Sequence, residues 1–290
     1  MTKVLDELVE LLALEKLEEN LFRGQSQDLG WGQVFGGQVL GQALSAAVQT
    51  VPDDRPVHSL HGYFLRPGDA KRPIVYDVDR IRDGKSFTTR RVVAIQSGRP
   101  IFNLSASFQL DERGFEHQAK MPAAPGPDGL PSERDLWQAR LARIPETFHS
   151  RAVAERPIEI VPVDPVDPLA PEAKQPNHQV WVRASGTLPD DPALHRYLLA
   201  YCSDFAFMTV SLRPHRATWL DSSMQVASVD HAMWFHRSFR MDDWLLHTIE
   251  SPSASGARGL VRGQFFSRDG TLVASTAQEG LIRRRDPGGG

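Results

Sequence analysis

Cysteine is nearly missing: Cys202 is the single one among 290 residues. A lone thiol forms neither an internal disulfide nor a cysteine-based zinc site, so a reducing compartment is the simpler setting. An excess of charge of either sign is missing too, with 33 Lys and Arg against 36 Asp and Glu and a net charge of −3. That balance gives no footprint for nucleic acid or an anionic membrane. The chain has no G-x-S-x-G elbow and no G-x-x-x-x-G-K-[ST] loop, and Gly30, Gly32, Gly36 and Gly37 do not follow a strand as a dinucleotide fingerprint would. The close pairs His58/His61 and His231/His236 lack a carboxylate-rich ligand set, which favours structural roles over metal binding. No signal segment opens the chain, and the C-terminal RRRDPGGG is not an S-K-L address, so cytoplasm is the expected location.

What is present suits a soluble globular protein, since 41% hydrophobic and 24% charged residues fill a core and still solvate a surface; a buried helix against an antiparallel meander, read from the patterns that follow, makes it α+β. Leu5, Leu8, Val9 and Leu12 repeat with helical period, predicting an amphipathic packing helix whose other face is largely acidic. From Leu29 to Pro52 there is no charge, yet Gln33, Gln38, Gln42 and Gln49 among five glycines argue against a membrane span. The expectation is a small-residue helix from about Gly37 to Val48, covered on most sides. Runs of β-branched and aromatic residues then predict strands at His58–Leu65, Ile74–Arg82, Phe87–Gln96 and Phe102–Leu110. Turn signals between them make sequential antiparallel neighbours the simplest topology.

Thirteen of the 21 prolines fall between Lys120 and Pro192, which reads as an excursion with a short helix near Glu133–Arg143 and a strand at Ile158–Val163. After it the first pattern recurs. Strands are expected at Gln179–Arg183, Met224–His236, Leu245–Glu250, Gly256–Phe266 and Leu272–Ile282, with a nearly uncharged helix over Asp204–Leu212. HGYFLR at His61 matches HAMWFHR at His231, SFTTRRVVAIQ matches ASGARGLVRGQ, and NLSASFQ matches LVASTAQ. The division expected is a first unit over 1–115, a Pro-rich linker over 116–150 and a second unit over 151–290.

Asp204 is the only charge between Leu198 and Leu212. A carboxylate among apolar residues needs hydrogen bonds or a shifted pKa, so it is either a helix N-cap, with Ser203 or Asp204 accepting, or a catalytic group. Ser228 and Gln278 lie on predicted strands and gain interest only beside it. A carboxylate that takes a proton from water, with a hydroxyl and an amide to hold that water, suits hydrolysis of an activated ester. Cys202 in its apolar run is a poor nucleophile.

The strings LFRGQSQDLGWGQVFGGQVLGQAL, HSLHGYFLRPGD, the SDF around Asp204, VASVDHAMWFHRSFRMDDWLL and ASGARGLVRGQFFSRDGTLVASTAQEGLIR resemble the type II acyl-CoA thioesterases of bacteria and peroxisomes. The resemblance runs from Leu21 to Arg283 and is weakest in the Pro-rich middle. It implies a double hotdog, two tandem units each with a central helix wrapped by an antiparallel β-sheet. It further implies hydrolysis of acyl-CoA to fatty acid and CoA without metal or organic cofactor, and a homo-oligomer, dimer or tetramer. The family's aspartate, its threonine or serine, and its glutamine fall on Asp204, Ser228 and Gln278. Many bacterial relatives carry threonine where Ser228 stands; the hydroxyl is kept and a methyl lost.

In that setting Asp204 would deprotonate a water held by Ser228 and Gln278, and N–H groups at the start of the Gly36-Gly37 helix would meet the oxyanion. Arg90, Arg91, Arg258 and Arg262 are candidate CoA-phosphate ligands, with a solvated sheet face as their plainer role. Rival functions are a hotdog hydratase or dehydratase and a non-catalytic acyl-CoA binder.

Overall fold

The computed structural model describes residues 2–30, 32–205 and 207–285; the final five residues of the RRRDPGGG tail lie outside that set. The first half runs α1 (Lys3–Leu12), β1 (Glu15–Glu18), β2 (Leu21–Gly24), α2 (Gly36–Val48), β3 (Val57–Phe64), β4 (Ile74–Asp83), β5 (Phe87–Gln96) and β6 (Arg99–Gln109). Short helices α3 (Glu133–Gln138) and α4 (His149–Ala152) mark the Pro-rich excursion. The second half follows as β7 (Ile158–Pro162), β8 (Asn177–Ala184), α5 (Pro192–Ser203), β9 (Met224–Ser228), β10 (Asp230–Phe235), β11 (Leu245–Ser255), β12 (Arg258–Ser267) and β13 (Leu272–Arg284).

Among the described residues the strands form one sheet in the order β1-β2-β4-β5-β6-β3-β10-β13-β12-β11-β8-β7, with β9 added to β13. Read outward from its centre, the order in one half repeats in the other. The seam is β3 against β10, so the two matched histidine strings lie side by side, with His231 opposite Gly62. Each half is a hotdog unit: a helix lies in the curve of an antiparallel sheet.

In the first half the four expected strands are present as β3 to β6, with one change of topology, and β1 and β2 are added to them. β4-β5-β6 is a meander through two tight turns, the second carrying Ser97 and Gly98 at positive φ. β3 does not neighbour β4. The longer Leu65–Pro73 connection lets the chain cross, and β3 pairs with β6 and β10 at the centre.

α2 is buried from Gly37 to Ala47. Its glutamines are satisfied rather than stranded: Gln42 Nε2 donates to the carbonyls of Leu11 and Gln25, Tyr76 donates to Gln42 Oε1, and Gln38 accepts from the Gln27 N–H. These bonds tie α1 and the entering loop to the helix, while Leu5, Leu8 and Leu12 seal its flank.

The expected Asp204–Leu212 helix is corrected. The helix of the second half is α5, which starts earlier because Asp191 caps the Ala193 N–H and Pro192 takes the first turn, where no N–H is needed. Leu194, Leu198, Leu199, Tyr201 and Cys202 are its buried side. Asp204 is its C-cap, not an N-cap, and Met208–His215 continues as 3-10 turns. The expected Met224–His236 strand is also broken, at Val229. Ser228 pairs with Gly280 and Ala232 with Ala277, leaving three residues opposite two, a β-bulge. Gly256 sits with Ala257 in the β11–β12 turn, both at positive φ, rather than in a strand.

Candidate active site

Three interruptions of regular structure converge on one point: the end of α5, the bulge between β9 and β10, and the start of α2. Asp204 Oδ1 accepts from Gln278 Nε2 at 3.1 Å and from the Ser228 hydroxyl at 3.4 Å, and the same Gln278 amide donates to Ser228 Oγ at 2.5 Å. The structure therefore brings together the three residues singled out in the sequence. Their proximity has a backbone cause. The bulge places Ser228 opposite Gly280, two residues beyond Gln278 on the same face of β13.

The first half supplies the opposite wall. The Gly37 N–H donates to the Asp204 carboxylate. A Cβ on Gly36 would stand 2.5 Å from Asp204 Oδ2 and 3.1 Å from the Phe64 ring, so only glycine allows the helix start to approach this closely. Phe35 stacks on Phe205 at 4.5 Å and meets Tyr201 edge-on at 5.3 Å, closing the flank with apolar surface.

Sequence reasoning did not find His231 as a member of this site. Its Nδ1 lies 2.9 Å from Gln278 Oε1 and its Nε2 lies 2.9 Å from Ser203 Oγ, which also reaches the Ala200 carbonyl at 2.8 Å. Since the Gln278 N–H groups are committed to Asp204 and Ser228, its carbonyl accepts, and His231 must carry the proton on Nδ1. The amide is thereby fixed at both ends. A readable signal existed: His231, Met233 and Phe235 alternate as buried positions in HAMWF.

Electrostatics follow from burial. Desolvation pushes the Asp204 carboxyl up from 3.8 to about 6, against the lowering effect of bonds from Gln278, Ser228 and Gly37. The residue as a whole is half-buried, and its carboxylate sits among dense surroundings. Burial lowers His231 to about 4, partly opposed by its Gln278 bond, so the imidazole is neutral at physiological pH. Buried Cys202 is pushed up to about 12 and stays a thiol.

The histidine pairs diverge. His58 bonds Ser107, His61 packs edge-on against Trp234, and His236 bonds Ser275, away from buried His231. The four arginines named from the sequence do not line the site. Arg90 is buried, and Arg91, Arg258 and Arg262 pair with Asp79, Glu279 and Glu250. Arg90 stands at the corresponding place in the first half. At the end of α2, the place matching Asp204 at the end of α5, its guanidinium donates to Thr50 Oγ1 and O, to two further carbonyls and to Asp83.

Two family models match the chain: an acyl-CoA thioesterase model over residues 149–281 and an acyl-CoA thioesterase N-terminal domain model over residues 26–109. Acyl-CoA thioesterase 2 of Haemophilus influenzae is 46% identical over 284 residues, covering 98% of this chain and 99% of that relative. Acyl-coenzyme A thioesterase 8 of Homo sapiens is 43% identical, covering 94% of this chain and 88% of its own length. Among solved structures, acyl-CoA thioesterase II TesB2 from Mycobacterium marinum superposes with a TM-score of 0.79 at 43% identity, covering 96% of this chain and 99% of that one.

Proposed function

The chain belongs to the acyl-CoA thioesterase family, and from that premise we propose that Asp204, Ser228 and Gln278 form its hydrolytic centre, releasing fatty acid and CoA from fatty acyl-CoA. The observation that carries this reading is the convergence of a hydroxyl and an amide on a raised-pKa carboxylate, across from a helix N-terminus. A water enters beside Asp204, exchanging the bonds that Ser228 and Gln278 make to the carboxylate for bonds to the water oxygen; Asp204 takes a proton from it, and the water oxygen attacks the thioester carbonyl carbon. The oxyanion is met by N–H groups at the start of α2, where the helix dipole also favours negative charge. Collapse of the tetrahedral adduct breaks the C–S bond, and Asp204 returns its proton to the leaving thiolate. His231 acts indirectly, as a positioning residue for the Gln278 amide.

The same reading takes residues 1–115, 116–150 and 151–290 as first unit, linker and second unit, supported by the mirrored strand order. It takes the protein as a cytoplasmic homo-oligomer. Low cysteine use supports the compartment, and exposed Tyr63 and Trp234 on the outer face of the seam support the association.

Thiol release from acyl-CoA by Asp204→Asn tests the assignment. The variant keeps shape and removes the proton acceptor, so kcat falls by about 10²–10⁴ with KM little changed. Turnover near that of the parent sinks it. Release of free thiol by the parent also separates hydrolysis from a hydratase or a passive binder.

A further inference from the structure

Beyond one end of the site lies a loop rich in exposed positive charge. β3 leaves the cluster at Phe64, whose ring lies against the Gly36 position and whose N–H donates to the Val229 carbonyl beside Ser228. Arg66 follows two residues later, just past the end of β3. Lys71 and Arg72 come from the same loop, and Arg99 from the β5–β6 turn next to it. All are exposed.

The loop that carries Arg66, Lys71 and Arg72 is held in place. Buried Gln96 accepts from the Asp69 N–H at 2.7 Å and donates to the carbonyls of Asp69 and Arg72, both at 2.9 Å, stapling the loop to β5. Arg72 donates to Ser97 Oγ, and Arg66 to the Pro100 carbonyl at 2.7 Å, so loop and turn form one surface. The loop's acidic member, Asp69, is 3.3 Å from Arg72. Among the described residues Arg66, Lys71 and Arg99 have no carboxylate partner, unlike Arg91, Arg258 and Arg262 on the outer sheet face.

Uncompensated like charges crowded on a rigid loop repel one another, and a bound anion relieves that repulsion. Acyl-CoA presents a reactive thioester separated by a flexible pantetheine arm from a diphosphate and a 3′-phosphate. We propose that the rim of Arg66, Lys71, Arg72 and Arg99 binds the phosphates of the nucleotide end of acyl-CoA while the thioester lies at Asp204. This rests on the hydrolytic reading above. It assigns the rim a part in KM and none in the chemical step.

The test compares two thioesters of the same acyl group, one on CoA and one on pantetheine, which lacks the nucleotide. The triple variant Arg66→Gln, Lys71→Gln, Arg99→Gln leaves Arg72 in place because it helps to hold the loop. Its KM for acyl-CoA should rise about 10- to 100-fold with kcat within about twofold, and its KM for the pantetheine thioester should not move. In the parent, KM for acyl-CoA should climb with salt, and in the variant it should flatten. A control carrying Arg283→Gln, Arg284→Gln and Arg285→Gln removes equal charge from the end of β13 and should change KM less than about twofold. An unchanged KM for acyl-CoA, an equal loss on both thioesters, or an equal rise in the control overturns the assignment. Should the parent release thiol from neither thioester, the hydrolytic reading fails instead. Calorimetric binding of CoA itself, lost in the rim variant or retained, then decides the rim alone.

Discussion

Asp204 is costly to the fold in its charged form, the form the proposed mechanism uses. Its carboxyl is raised from 3.8 to about 6, so between those values the folded state holds a proton that the unfolded chain has released, and stability falls as pH rises through this window. Above about 6 the folded protein carries a desolvated carboxylate. Asp204→Asn should therefore raise thermal stability at pH 7.5 by about 1–2 kcal/mol, less than the full shift implies because the Asn Nδ2 meets the Gly37 N–H as donor against donor, and it should give no gain at pH 3.5. A lower melting temperature at pH 7.5 would mean that the carboxylate is a net structural asset. On the proposed mechanism the same shift sets the kinetics: a base at Asp204 works deprotonated, so kcat/KM should rise with pH along a limb near 6 and then level, and Asp204→Asn should lose that limb. Ser228 tests the water anchor. Ser228→Thr keeps donor and acceptor and should preserve most activity, whereas Ser228→Ala should lower kcat by a few kcal/mol of barrier with KM held. Equal rates for alanine variant and parent, at matched folded concentration, would reduce the site to Asp204 and Gln278.

At the scale of elements, the site is made where regular structure stops. A Cβ on Gly37 would overlap the Tyr201 carbonyl oxygen, and one on Gly41 would stand 3.1 Å from that of Tyr197, so glycines let α2 and α5 pack backbone to backbone. Gly37→Ala must push the helices apart and should cost about 2–4 kcal/mol in denaturant unfolding. Gly36→Ala directs its methyl at Asp204 Oδ2 instead, so its loss should show in kcat before stability; the reverse order would place the close approach outside the chemistry. This contrast also marks what the sequence made legible. α2 was readable because eleven successive buried positions leave no polar face to confuse the pattern, and β5 because its alternation is regular. The start of α5 was not, since Pro192 reads equally as a continuation of the Pro-rich excursion and as a helix start. Asp204 stood out by its isolation among apolar residues, yet its capping role was read at the wrong end of a helix. The Val229 bulge has no local signature, because it arises from register between β9, β10 and β13 and not from the residues it contains. His231 was hidden for a related reason: its partner Gln278 is far away in sequence.

Across the whole molecule, the two halves are joined by backbone as well as by side chains. β3 and β10 exchange ladder hydrogen bonds from Tyr63–Asp230 to Ser59–Trp234, α2 packs on α5, and the site draws its helix N-terminus from one half and its carboxylate from the other. Cutting the chain after residue 115 would expose the β3 edge, the Gly37/Gly41 side of α2 and the Phe35 ring together. An unpaired central strand beside a bared apolar helix face is a template for association. Residues 1–115 alone should therefore be insoluble or oligomeric, as read by light scattering on a sizing column, and a monodisperse fragment with cooperative melting would show that the first unit is self-sufficient. Residues 116–290 retain Asp204, Ser228 and Gln278 but lack the N–H groups of α2, and loss of such donors typically costs about 10²–10³ in kcat each. That fragment should release no measurable thiol from acyl-CoA by itself, and co-expression with 1–115 should restore turnover by re-forming the β3–β10 seam. Hydrolysis by the folded second fragment at a rate near that of the intact chain would remove α2 from the oxyanion site and confine the chemistry to one hotdog unit.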